Sequence, residues 1–184
     1  MHLGDHNWVL QLAEMFDIPG GAADESYREE RRSAIRKVRD DQLVATFDLV
    51  QPTLQDMKRY RPALARWYEE EAKQILPQLG GLDHLIHNDI GPFAVDGTRI
   101  WFGIEFYGGE GFSGVGGFGI FDTATETWSI VHHPILVNSS VSAIHPDGDV
   151  VWLGTYHGGE GSPVSTWGLV KYDRRRAGWA DRSK

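Results

Sequence analysis

Apolar residues follow two different rhythms along this chain. From the N-terminus to about residue 80 they recur at spacings of three and four: Trp8, Val9, Leu12 and Phe16, then Leu43, Val44, Phe47 and Val50. That period gathers them on one side of a helix. Asp5 can cap the first such helix, and Pro19-Gly20-Gly21 stops it. Residues 24–40 set Glu25 and Glu29 against Arg32 and Arg36 at helical spacing, which predicts a largely solvated helix with Tyr27, Ile35 and Val38 for burial. Thr53 followed three positions later by Asp56 resembles a capping box. The helix it opens would bury Leu54, Met57, Leu64, Trp67, Tyr68, Ile75 and Leu76, with Pro62 kinking or restarting it and Gly80-Gly81 ending it. Residues 1–80 are thus expected to be an α-helical region.

From residue 81 the rhythm becomes that of a repeat. Asp96-Gly97 matches Asp147-Gly148, Trp101 matches Trp152, Gly103 matches Gly154, Gly117 matches Gly168, Asp122 matches Asp173 and Trp128 matches Trp179, each pair 51 positions apart. The loop Tyr107-Gly108-Gly109-Glu110-Gly111 returns as His157-Gly158-Gly159-Glu160-Gly161. A self-match at this period indicates stacked supersecondary units. Each copy predicts four short strands: a first closed by the Asp-Gly turn, a second carrying Trp-x-Gly, the glycine loop, a third ending at Asp122 or Asp173, and a fourth at Trp128 or Trp179.

This pattern resembles β-propeller repeats, both kelch motifs and the blades of two-component regulator propellers, over residues 90–182. Together with the helical periodicity of the first part, the resemblance leads to an expected α+β chain: an α-helical N-terminal region (1–80) followed by two four-stranded antiparallel β-propeller-like blades (81–184). Two copies fall short of the roughly four to eight blades of a closed propeller. The uncovered sheet faces then call for helical capping, for a homo-oligomer that completes the ring, or for a longer reading frame.

Composition narrows the function classes. The chain has 184 residues, no cysteine and a net charge of −8. A disulfide frame and a thiolate metal site are excluded. Residues 81–170 carry Arg99 as their only Lys or Arg against ten acids. Such a surface repels phosphate backbones, so nucleic acid is not an expected partner. No apolar stretch reaches membrane-spanning length, and Met1–Leu10 lacks the basic start and apolar run of a signal peptide, which makes the cytoplasm the default expectation.

In a blade, the connection between strands two and three lies on the same face as the connection to the next blade. Tyr107, Glu110, His132, His133, His157 and Glu160 would then share one face beside permissive glycine backbone. These residues suit a shallow site for a cation, a sugar or a basic peptide, and carboxylate with imidazole is acceptable metal chemistry. A plainer reading has the glycines permitting positive φ, with each Glu accepting hydrogen bonds from its own loop. Asp147-Gly148-Asp149 lacks the remaining ligands of a calcium loop, and the pair His84 and His87 lacks a glutamate between them. No catalytic residue is assigned. The expected function is a non-catalytic binding or interaction module, an incomplete propeller contacting a protein partner or small molecule at the glycine-loop face, with no required cofactor. The alternative is a metal-dependent lyase-type propeller enzyme. Streptogramin-lyase-like propellers set a histidine and acids around a divalent cation, for which His157, Glu110 and Glu160 would be the candidates.

Overall fold

The structure, a computed structural model, describes residues 2–3, 6–11, 33–70, 89–105, 115–157, 166–176 and 178–179. It divides into two compact units, residues 1–49 and 50–184.

The described residues of the first unit form a sheet. β1 (His2–Leu3), β2 (His6–Gln11), β3 (Ala34–Arg39) and β4 (Gln42–Asp48) pair antiparallel in sequence order. The expected architecture, an α-helical N-terminal region before two blades, is therefore corrected, and the described sheets do not close into a propeller. The physical reason lies in neighbouring residues. Trp8 is 2% exposed and Val9 46%, so adjacent side chains point to opposite faces, as the pleat of a strand requires and a common helical stripe forbids. The β-branched Ile35, Val38, Val44 and Thr46 favour the extended form. Asp40 and Asp41, with φ of 50° and 60°, form the two-residue loop between β3 and β4, in the left-handed pair that a tight hairpin needs. Val44 sits at a bulge in β4 and is exposed.

The second unit begins with a helix pair. Thr53 caps α1 (Leu54–Tyr60): its hydroxyl accepts from the Asp56 amide, and its own amide donates to the Asp56 carboxylate at 2.8 Å. The chain leaves helical geometry at Arg61, as expected of a residue before proline, and α2 (Pro62–Glu70) restarts at Pro62. Met57 and Ala65 are buried while Trp67, expected inside, is 37% exposed. Residues 75 and 76 lie outside the described residues. No helix among the described residues is long and apolar enough to cross a membrane.

Two further antiparallel meanders follow. The second sheet is β5 (Asp89–Asp96), β6 (Arg99–Glu105), β7 (Phe118–Asp122) and β8 (Thr127–Val131). The third is β9 (Ser140–Asp147), β10 (Val150–His157), β11 (Thr166–Asp173) and β12 (Gly178–Trp179). Gly97 and Gly148, at φ of 59° and 54°, open the two Asp-Gly turns. Pro92 falls within a bulge of β5, where its missing amide hydrogen breaks no ladder bond. At the β7–β8 turn the Ala124 amide donates to Asp122; with burial opposing and the Arg99 guanidinium assisting, this holds the Asp122 carboxyl below its usual range.

The core of this unit lies between the second and third sheets. Trp101 and Phe118 of the second meet Val141, Val151, Leu153 and Tyr172 of the third, with Leu136 from the intervening connection. Phe118 and Tyr172 meet edge to face with centroids 5.0 Å apart. The bare α-carbon of Gly103 admits the third sheet: a β-carbon there would stand 2.7 Å from the Val141 carbonyl oxygen. Arg174 lays its guanidinium 4.6 Å from the Trp101 ring centroid and bonds Asp96 at 2.5 Å, clamping the turn after β11 onto the second sheet. Ile100, Phe102, Ile104 and Phe121 are buried on the opposite face of the second sheet, so β6 is covered on both sides. There Phe102 packs edge-on against Trp128 and fills the space over Gly119.

A β-carbon at position 119 would overlap the Phe102 ring, which has no solvent to retreat into. Gly119→Ala is accordingly expected to cost about 1–3 kcal/mol as an overpacked core. A urea midpoint unchanged from wild type would show that the ring can move aside.

Candidate binding rim

Three connections meet at one edge of the second unit. One is the end of the β6–β7 connection, Val115–Gly117. The second is the β8–β9 connection, His132–Ser139, and the third is the end of β10 at His157. Gly116 and Gly117 take φ of 81° and 135°, and side chains there would run into the carbonyls of Leu136, Ser139 and Val131. Only glycine suits both the backbone conformation and this packing.

Each described histidine of the rim fastens one piece of backbone. His132 bonds the Gly116 carbonyl through Nδ1 at 2.7 Å, tying the two connections of the second sheet together. His157 bonds the Asn138 carbonyl through Nδ1, joining the end of β10 to the same connection. Asn138 itself takes φ of 61°. A carbonyl only accepts, so Nδ1 carries the hydrogen in both rings, and in the neutral form Nε2 holds the lone pair. His133 acts differently: its Nδ1 accepts from the Ile135 amide at 3.3 Å and caps the 3₁₀ turn Pro134–Leu136.

The helix pair seats on this rim. Met57 and Ala65 bury Val115, with Leu54, Tyr60, Leu64 and Val137 packed around them. The Tyr60 hydroxyl donates to the His132 carbonyl at 3.3 Å, and the two rings lie 5.6 Å apart. Asp56, one helical turn before Tyr60, adds a carboxylate. Desolvation pushes its pKa up, but the Thr53 amide and hydroxyl, with the charges of His132 and Arg59, outweigh that and hold it below the ordinary carboxylate value of 3.8. A carboxylate, a phenol and an imidazole are thus gathered at the mouth of the glycine connection.

Of the sequence-predicted site residues, His132, His133 and His157 are placed as above. Tyr107, Glu110 and Glu160 lie outside the described residues. Among the described residues no three His, Asp or Glu side chains cluster closely enough to hold a metal ion. Sequence reasoning missed Asp56 and Tyr60 as rim residues. The Thr53–Asp56 cap was readable, but Tyr60 reaches a histidine 72 positions away, which no local pattern announces.

A carboxylate whose folded pKa is depressed stabilises the fold above its unfolded value and loses that contribution as pH falls through the folded value. Asp56→Ala is therefore expected to lower stability by about 1 kcal/mol at pH 7, the size of a capping interaction. The difference from wild type should vanish as pH drops below 3.8. Denaturant titrations at several pH values would reveal it, and a deficit that persists in acid would assign the loss to packing instead. No family model matches this chain, and neither a curated protein nor a solved structure matches it.

Proposed function

We propose that this chain is a non-catalytic binding module that contacts a ligand or protein partner at the glycine-loop rim. The observation that carries the reading is the use made of the histidines. His132 and His157 commit their Nδ1 hydrogens to backbone carbonyls of the connections, a positioning task that stiffens the rim. Rigid connections displayed at one edge of packed sheets are a common way to build a recognition surface. The acidic character of residues 81–170, with Asp56 beside the rim, favours a basic segment of a partner protein over an anionic ligand.

A second reading rests on the same geometry. An imidazole whose Nδ1–H is held by a carbonyl offers Nε2 as a metal ligand in a fixed orientation. His157 is so held and is the first residue of the second glycine loop. This orientation of His157 is the one feature that favours the alternative, a metal-dependent lyase-type enzyme using His157 with Glu110 and Glu160. A divalent titration separates the two: tight manganese binding abolished by His157→Ala supports the enzyme.

The binding reading is tested by following backbone amide resonances while a hepta-arginine peptide is added. Shifts are expected to cluster at Val115–Gly117, His132–Asn138 and His157, and to fade as salt screens the attraction. Shifts confined to the far strand ends, or none at millimolar peptide, would contradict it.

A further inference from the structure

Several side chains of the rim have their donors engaged and their acceptors left over. His132 and His157 each give the Nδ1 hydrogen to a backbone carbonyl, that of Gly116 and that of Asn138 respectively. A neutral imidazole then keeps a lone pair on Nε2, on the far side of the ring from that bond. Neither Nε2 meets a donor among the described residues. Asn138 adds a third acceptor, because its Oδ1 is buried without a hydrogen-bond partner. A buried carbonyl oxygen left in that state is destabilising until something donates to it. Asp56 adds a fourth. Both bonds its carboxylate accepts from Thr53 end on Oδ2, and Oδ1 has none among the described residues. His133 differs: it accepts at Nδ1, so its hydrogen sits on Nε2, and it serves its own 3₁₀ turn.

These acceptors belong to one stretch of the second unit. Gly116 joins two of them: its carbonyl receives His132, and a β-carbon on it would stand 2.9 Å from the carbonyl oxygen of Ser139, the residue after Asn138. Asn138 in turn receives His157. On the helix side, Tyr60 bonds the His132 carbonyl at 3.3 Å, and Asp56 lies near enough to feel the charge of His132.

Acceptors without donors select their ligand. A phosphate or carboxylate would bring only further acceptors beside the Asp56 charge. A sugar hydroxyl donates once and leaves that charge unmet. An ammonium gathers three donors on one atom, whereas a guanidinium fans five across a plane, has no acceptor and is always positive. His132 opens the β8–β9 connection and His157 bonds it near its other end, at Asn138, so the acceptors are spread out and suit the fan better than a point charge. We propose that the rim holds an arginine side chain of a partner protein, its guanidinium donating to the acceptors left on His132, Asn138 and His157 while Asp56 balances its charge. This rests on the binding reading above and names the group that the basic segment inserts.

Hepta-arginine and hepta-lysine, equal in charge, are titrated into the full chain while backbone amide resonances are followed. Hepta-arginine is expected to bind the rim about tenfold more tightly, the effect of one hydrogen bond to a charged group. His132→Asn and His157→Asn each keep an N–H near the Nδ1 position, so the tie to the backbone survives, but remove Nε2. Each is expected to weaken hepta-arginine about tenfold, to the hepta-lysine value. Asn138→Gly suits the φ of 61° and keeps the carbonyl that His157 bonds while deleting Oδ1, and it is expected to do the same. If an asparagine variant fails to fold, the glycine variant carries the test. Equal affinity of the two peptides at the rim, or an arginine preference that survives in every folded variant, would overturn this inference and leave the binding reading standing. An absence of shifts at the rim with either peptide would overturn both.

Discussion

Close approach of one antiparallel sheet to the next is the constraint on which the second unit depends. A four-stranded meander has two faces, and a strand apolar on both must find cover on both. Gly103 grants the approach by removing a side chain, and Trp101, two residues before it on the same face, packs into the core between the two sheets. Arg174 then closes the edge, stacking on Trp101 while pairing with Asp96. The Trp-x-Gly pair is therefore a packing device: a large flat ring next to a deliberate gap. Removing either element breaks the same contact from opposite directions, by cavity or by collision.

The rim inherits its shape from that packing. With the second and third sheets held face to face, the β8–β9 connection passes between the end of the β6–β7 connection and the end of β10. His132 and His157 bond across the two gaps so formed, and the helix pair closes over Val115 and Val137. Rigidity at the rim thus comes from two sources of different character. Apolar burial under α1 and α2 is insensitive to salt and pH, whereas the Asp56 cap responds to both.

Much of the C-terminal architecture was legible because its signals are local and written twice. Asp-Gly turns, a tryptophan two residues before glycine and the strand-four tryptophan recur at one offset, and each has a short-range physical meaning. The N-terminal sheet was illegible for the opposite reason. Ile35 and Val38 are three apart, which satisfies a helical stripe, yet in a strand that spacing simply sends them to different faces. The β3–β4 turn is built from Asp40-Asp41 rather than from a glycine pair, so the usual hairpin signal is absent. Strand β1 is two residues long and carries no pattern at all. At the rim the histidines could be named from sequence, but their partners could not. Gly116 and Asn138 offer carbonyl oxygens, which every residue possesses, and Tyr60 arrives from a helix with no repeat of its own.

The claim that the Trp-x-Gly gap exists to admit a neighbouring sheet is tested most directly by comparing Gly103→Ala with Gly154→Ala. Both changes are made singly in the otherwise wild-type chain. The urea midpoint should fall sharply for Gly103→Ala, by about 1–3 kcal/mol of stability. For Gly154→Ala, where the nearest atom would be the Ala143 β-carbon at 3.1 Å and no carbonyl intrudes, the loss should be smaller, about 1 kcal/mol or less. Equal losses at the two positions would mean that each glycine serves only its own strand, and the account of how the sheets are held together would be wrong.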